Sequence, residues 1–171
     1  MEPVRDAYSA LAEKYIELFA TTEAGHPEDL ALIARHLAIP SGVVLDVGCG
    51  PGHLTDHLRS LGADAVGFDL VPTFIDHARR TYPDGRYGFG SATNLPVPDG
   101  VIAGLLSWYS LIHLPPADLD GVLAELRRVM APNGRLVIGF FDGPELGSFE
   151  HKVITASFLP ADWVAERLQR A

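Results

Sequence analysis

Apolar and polar positions along this chain follow two periods, and their alternation outlines the elements. From Pro3 to Phe19, the residues Tyr8, Leu11, Ala12, Tyr15, Leu18 and Phe19 fall at helical spacing, which predicts one amphipathic helix. Pro27-Glu28-Asp29 places a proline in a first turn followed by acids, the signature of a helix start. That helix runs to about Leu37, and Pro40-Ser41-Gly42 ends it. Val43 to Val47 is a short valine-rich apolar run, which predicts a buried strand. Gly48 to Gly52 is loop, and His53 to Leu61 is a helix stopped by Gly62.

The alternation repeats down the chain. Ala65 to Asp69 reads as a strand, Pro72 to Thr81 as a helix, and Tyr87 to Gly90 as a short strand. Asn94 to Gly100 is a polar, proline-rich loop. Val101 to Ser107 is apolar throughout, as suits a central strand covered on both faces. Pro115 to Met130 reads as a helix, Pro132-Asn133-Gly134 as a turn and Arg135 to Phe141 as a fifth strand. Gly143 to Gly147 is loop, and a last helix spans about Pro160 to Gln169. Strand and helix in this rhythm mean parallel strands joined by crossover helices. The sequence therefore predicts a single α/β domain over 1–171, with a doubly wound, mostly parallel sheet and helices on both faces. Ligands of such sheets sit beyond the carboxyl ends of the strands, near the switch in strand order.

Composition narrows the partners. The 171 residues hold one domain's core. A net charge of −9 argues against nucleic acid or an anionic membrane surface as the main partner. Arg79-Arg80 and Arg127-Arg128 are short and lie in helical patterns, so they read as solvated faces. The lone cysteine, Cys49, excludes an intrachain disulfide and fits a reducing cytoplasm. The N-terminal residues lack a signal-peptide pattern, and no apolar run approaches the roughly 18 residues of a membrane span.

The candidate chemistry starts at the loop after the first strand. Gly48, Gly50 and Gly52 each remove a side chain where backbone must turn sharply or approach a ligand. The helix behind the loop points its N-terminus at the same space, where N–H groups favour a polar or anionic group. Glycines there can also serve a tight turn alone. The second strand weighs against that, because Val66-Gly67-Phe68-Asp69 ends on a carboxylate about twenty residues on, placed to accept ribose hydroxyls. Asp69 can alternatively be a solvated strand-end acid or a helix cap. The spacing is G-x-G-x-G, and His53 stands where a dinucleotide fingerprint needs its third glycine. Asp46, two residues before the first glycine, suits a cofactor bearing an ammonium group better than a pyrophosphate.

Val44-Leu45-Asp46-Val47-Gly48-Cys49-Gly50-Pro51-Gly52 resembles motif I of the class I S-adenosylmethionine-dependent methyltransferases, in particular their small-molecule enzymes. The likeness continues through Val66 to Asp69, Asn94-Leu95-Pro96-Val97-Pro98-Asp99, Ser107 to Leu114, and Leu126 to Leu136. The resemblance implies a Rossmann-like fold, S-adenosylmethionine as cofactor with S-adenosylhomocysteine as product, and methyl transfer to a small-molecule acceptor. A non-catalytic module that binds the same cofactor is the alternative, and a nucleotide-dependent oxidoreductase is disfavoured by the loop spacing. It also implies that residues 1–40 form a helical lid, with Tyr8 or Tyr15 closing over the cofactor or serving as core. The implied cofactor contacts are Tyr15, Asp46, Gly48, Cys49, Gly50, Gly52, Asp69, Leu70, Ser91, Ala92 and Trp108.

Three departures stand out. Gly90-Ser91-Ala92 replaces a Gly-Asp-Ala whose aspartate commonly accepts from adenine, leaving Ser91 and the Ala92 N–H for that role. Ile102-Ala103 stands where a Phe-Asp pair usually opens the fourth strand. The family sheet closes with two further strands, and this sequence stops before them, which predicts an exposed fifth-strand edge and a possible homo-oligomer formed through it. Trp108 and Tyr109 read either as core or as rings facing a sulfonium. Tyr109 and His113 are the catalytic candidates, His113 as a base or as a structural histidine. His53 and His57 lie at i, i+4, a spacing that can hold a metal, but no third ligand is evident. Cys49 reads as a small loop residue.

Overall fold

Five parallel strands in the order β3-β2-β1-β4-β5 carry the molecule. They are β1 (Val43–Val47), β2 (Asp64–Asp69), β3 (Arg86–Phe89), β4 (Ile102–Trp108) and β5 (Met130–Gly139). The helices are α1 (Glu2–Ala10), α2 (Ala12–Phe19), α3 (Pro27–Leu37), α4 (His53–Ser60), α5 (Pro72–Thr81), α6 (Leu119–Val129) and α7 (Ala161–Arg170). This computed structural model describes residues 1–22, 25–39 and 41–171, so Pro40, expected to end the second helical segment, lies outside the described residues.

The period-two pattern of the strands sorts their side chains between two cores. Val44, Ala65, Leu106 and Val137 face α3 and α4, packing on Ile33, Leu37, Leu54 and Leu58. Leu45, Val47 and Leu105 face the opposite way, onto Leu119, Val122, Leu123 and Leu126 of α6 and Val164 of α7. A parallel sheet covered on both faces needs apolar residues at consecutive positions, which is why β1 and β4 are mostly apolar, interrupted by the buried Asp46 and Ser107. The strand order reverses between β1 and β4, and the carboxyl ends of β1, β2 and β4 open onto one crevice.

Four expectations change. The single helix over Pro3 to Phe19 is two helices, broken at Leu11 (φ −113°, ψ 8°), whose N–H bonds to Tyr8 O, three residues back. The apolar spacing is satisfied in either half, so periodicity alone does not reveal the break. Pro132-Asn133-Gly134 is a bulge inside β5 and not a turn before it: Ile102 pairs with Met130, Gly104 pairs with Arg135, and Asn133 takes a φ of 63°. The segment after β5 is more ordered than a loop, since β6 (Gly147–Phe149) and β7 (Ala156–Phe158) form a small antiparallel sheet of their own. Strands this short leave no periodic signal. Pro115 to Met130 divides into a 3₁₀ turn at Pro116–Asp118 followed by α6.

In the main sheet β5 has one partner, β4, among the described residues. Among those residues no helix is long and apolar enough to cross a membrane. Leu105 is fully buried and Leu146 is exposed. Leu105→Ala is expected to cost about 2–5 kcal/mol and Leu146→Ala less than about 0.5 kcal/mol, both read from urea unfolding midpoints.

Candidate functional site

The crevice at the switch point is a cavity of about 430 Å³. Its floor is the loop between β1 and α4. Gly48 has a φ of +74°, and a Cβ there would come within 2.3 Å of Ser110 Cβ, so no other residue fits. Gly52 caps α4 at a φ of +92°, with Ala78 and Tyr87 against it. The loop is stitched to the neighbouring strand. Gly48 N–H and Cys49 N–H both donate to Phe68 O, at 2.7 and 3.0 Å. Gly50 N–H donates to Asp69 Oδ2 and Val71 N–H to Asp69 Oδ1, each at 2.8 Å. The loop therefore offers close approach to its backbone, while these N–H groups already have partners inside the protein.

Asp69 lines the cavity at the end of β2. Burial pushes its carboxyl above the usual carboxylate range, and the N–H groups of Val71 and Gly50 oppose that rise. Each carboxylate oxygen has a second lone pair to offer a ligand.

Of the other expected contacts, Tyr15, Gly48, Gly50, Leu70, Ala92 and Trp108 line the same cavity, as do Tyr109 and His113. Asp46, Cys49, Gly52 and Ser91 are not among its lining residues. Asp46 is the main correction. It is 1% exposed, lies under the loop, and accepts from Thr55 Oγ1 at 2.6 Å. Thr55 sits three residues after the cap Gly52, so Asp46 holds the first turn of α4, where Gly52 has no side chain to do so. Burial raises its pKa to about 7. Cys49 packs inward on Ile75, Ala78 and Tyr87, and burial drives its thiol pKa well up. Ser91 Oγ pairs with Thr93 Oγ1 at 2.7 Å, on the outer side of the strand end.

The far side of the cavity is aromatic. Tyr109 holds a φ of 52°, rare for a ring-bearing residue, and such strain gathers at functional sites. Its ring meets Trp108 at 5.4 Å and Phe141 at 5.0 Å. His113 meets His151 at 5.1 Å and Tyr8 at 5.4 Å, and Tyr8 meets Tyr15 at 5.6 Å. His113 joins three segments. Its Nδ1 lies 3.0 Å from the carbonyl of Thr155 and its Nε2 lies 2.8 Å from the Tyr8 hydroxyl. A carbonyl only accepts, so Nδ1 carries the proton and Nε2 accepts from Tyr8. Burial lowers the pKa of His113, favouring that neutral form, and raises that of Tyr8.

Phe74, Ser110 and Phe141 also line the cavity and were not foreseen, while His151 and Lys152 line it from the segment after the fifth strand that the family resemblance assigns to a substrate pocket. Phe141 had a signal, since it follows a parallel strand at its carboxyl end. His151 and Lys152 arrive through the β6–β7 connection, which has no sequence signature. Among the described residues no group of three or more His, Cys, Asp or Glu side chains is placed to hold a metal. His53 Nδ1 and His57 Nε2 are buried without a hydrogen-bond partner, and burial lowers the His53 pKa to about 4.

A family profile described as a methyltransferase domain matches residues 44–134. The chain is 31% identical over 134 residues to the malonyl-[acyl-carrier protein] O-methyltransferase of Yersinia pestis, covering 78% of this chain and 48% of that protein. It is 34% identical over 113 residues to the demethylmenaquinone methyltransferase of Beutenbergia cavernae, covering 66% of this chain and 46% of that protein. It thus spans about half the length of these curated relatives. Among solved structures it resembles the 1,6-didemethyltoxoflavin-N1-methyltransferase of Burkholderia thailandensis, crystallised with 1,6-didemethyltoxoflavin and S-adenosylhomocysteine. That likeness has a TM-score of 0.78 at 21% identity, over 99% of this chain and 76% of the other, and it establishes the fold.

Two outcomes test the loop. Gly48→Ala places a Cβ against Ser110 at a left-handed φ, and should destabilise by about 1–2 kcal/mol from the backbone alone, with more from the clash, read by chemical unfolding. Asp46 holds its proton up to about pH 7 in the folded chain, against about 3.9 when unfolded, so its contribution to stability is lost as pH rises through that window. His53 acts oppositely between its ordinary value of 6.5 and about 4, losing stability as pH falls. The stability of Asp46→Asn minus that of the unaltered protein should therefore climb from pH 4 to 7 and then level. A pH-independent difference would contradict the burial assigned to Asp46.

Proposed function

The chain belongs to the class I S-adenosylmethionine-dependent methyltransferases, and from that premise we propose that its cavity binds S-adenosylmethionine and that the protein methylates a small-molecule acceptor. The observation that carries this reading is the Asp69 carboxylate at the lip of the cavity, clamping Gly50 beside a glycine backbone that no side chain covers. The residues present suit the cofactor. Asp69 is placed to accept from ribose hydroxyls, Gly48 and Gly50 leave room for close backbone approach, and the aromatic side suits a sulfonium. When bound, the cofactor supplies an electrophilic methyl group.

What remains for the protein is alignment of the acceptor, and positioning of this kind reaches effective molarities of about 10⁵ to 10⁸ M. Tyr109 and His113 are the proposed catalytic residues. Tyr109 stands where β4 ends, its ring fixed between Trp108 and Phe141. His113 Nε2 accepts from the Tyr8 hydroxyl. An acceptor that must lose a proton would take the place of that hydroxyl to reach a base worth about 10² to 10⁴-fold in rate.

The net charge of −9 supports a small-molecule acceptor over nucleic acid, and a single cysteine supports the cytoplasm. Pairing of β5 on one side only, among the described residues, supports a homo-oligomer, with gel filtration as its check.

Calorimetry tests the cofactor reading. S-adenosylmethionine and S-adenosylhomocysteine are expected to bind in the micromolar range, and NAD not to bind. Asp69→Asn keeps the size of the side chain and removes its charge, so affinity should fall about 10- to 100-fold. Unchanged affinity would rule out the ribose assignment.

A further inference from the structure

The ionisable groups of the cavity are distributed unevenly. Among the described residues Asp69 is the one carboxylate that lines it, and the cationic side chains are Arg5 and Lys152. Arg5 is engaged, its Nε and Nη2 lying 3.1 and 2.9 Å from Asp6 Oδ1. Lys152 forms no salt bridge among the described residues. Its charge is felt at the cavity wall, where it helps hold the neighbouring His151 pKa down.

Topology sets the distance between Asp69 and Lys152. Asp69 ends β2, whereas Lys152 lies in the β6–β7 connection, joined to the β5 side through the Phe141–Phe158 bridge. Two strands, β1 and β4, separate β2 from β5. At about 4.8 Å per strand step, β2 and β5 lie about 14 Å apart across the sheet. No ion pair joins Asp69 to Lys152 among the described residues. The nucleoside reading assigns Asp69 to the cofactor, which leaves the Lys152 side to the acceptor. The walls on that side are ring faces and edges: Tyr109 at 5.0 Å from Phe141, and His151 at 6.2 Å from Phe141 and 5.1 Å from His113. Rings in contact at such spacings form a continuous aromatic wall, and a flat partner stacks on it. A protonated amine would meet Lys152 with no carboxylate beside it.

We propose that the acceptor is a planar aromatic or heteroaromatic compound bearing an anionic group, with its ring against the wall of Tyr109, Phe141 and His151 and its charge against Lys152. This rests on the cofactor reading above and adds the chemistry of the second ligand. It also gives the β6–β7 connection a task, to bring an ammonium to the aromatic side of the cavity.

The test uses the whole chain saturated with S-adenosylhomocysteine and three matched probes: 2-naphthoate, 2-naphthamide and 2-naphthylmethylamine. Titration by calorimetry or ligand-observed NMR should rank the naphthoate first, roughly five- to tenfold tighter than the amide, with the amine weakest. Lys152→Gln should erase the preference for naphthoate over naphthamide while leaving S-adenosylhomocysteine affinity and the melting temperature unchanged. Phe141→Leu should weaken both neutral and anionic probes together. Equal binding of the three probes, binding led by the amine, or a preference that survives Lys152→Gln overturns the acceptor class alone. Failure of S-adenosylhomocysteine to bind overturns the cofactor reading and this one with it.

Discussion

The site depends on one carboxylate that closes the gap between two strand ends. Asp69 takes the Gly50 N–H on one oxygen and the Val71 N–H on the other, while the carbonyl before it, Phe68 O, takes Gly48 and Cys49. Four backbone donors of two separate connections converge on two adjacent residues. A glycine-rich loop left to itself would lose more entropy on ordering than any other segment of this length. Hydrogen bonds to a charged acceptor are each worth about 1.5–3 kcal/mol and offset that cost. The same carboxylate then faces the cavity, so the group that orders the loop is also the group presented to a ligand. Asp46 does the comparable work below, holding the first turn of α4 through Thr55.

These two acids show why part of the site is legible in the sequence and part is not. Both carry the same side chain and flank the same motif, and spacing alone places both near a cofactor. Strand alternation separates them, because Asp46 shares the face of Val44 that packs on α3 and α4, whereas Asp69 ends its strand at the crevice. The strands and crossover helices were readable because burial on both faces imposes mostly apolar runs. His151 and Lys152 had no periodic signal of their own, since a non-repeating excursion of the chain brings them to the cavity through three-residue strands. The helix break at Leu11 was hidden for another reason: Tyr8, Ala12 and Tyr15 keep helical spacing across it, and the dihedral change at one residue leaves no trace in hydrophobicity.

His113 is the junction of the upper wall. It ties the segment after β4 to Thr155 in the β6–β7 connection and to Tyr8 on α1. Ser157 N–H adds a bond to Ile112 O at 2.8 Å beside it. The far side of the cavity is thus assembled from three non-adjacent parts of the chain through one imidazole, whose tautomer is fixed by a carbonyl that can only accept. This contrasts with the loop side, where neighbouring strands supply every partner.

The N-terminal cover is held loosely by comparison, and that has a kinetic consequence. No residue of α1 is buried, and its attachment to the cavity runs largely through Tyr8: one hydrogen bond and three edge-on ring contacts, to Tyr15, Phe74 and His113. Such contacts amount to about 2–4 kcal/mol, which leaves the cover open about 0.1–3% of the time. Segment motions of this kind recur on microsecond to millisecond scales. α1 therefore parts from the cavity far more often than the sheet beneath it unfolds, and the mouth exchanges its contents without disturbing the strand ends that form the floor.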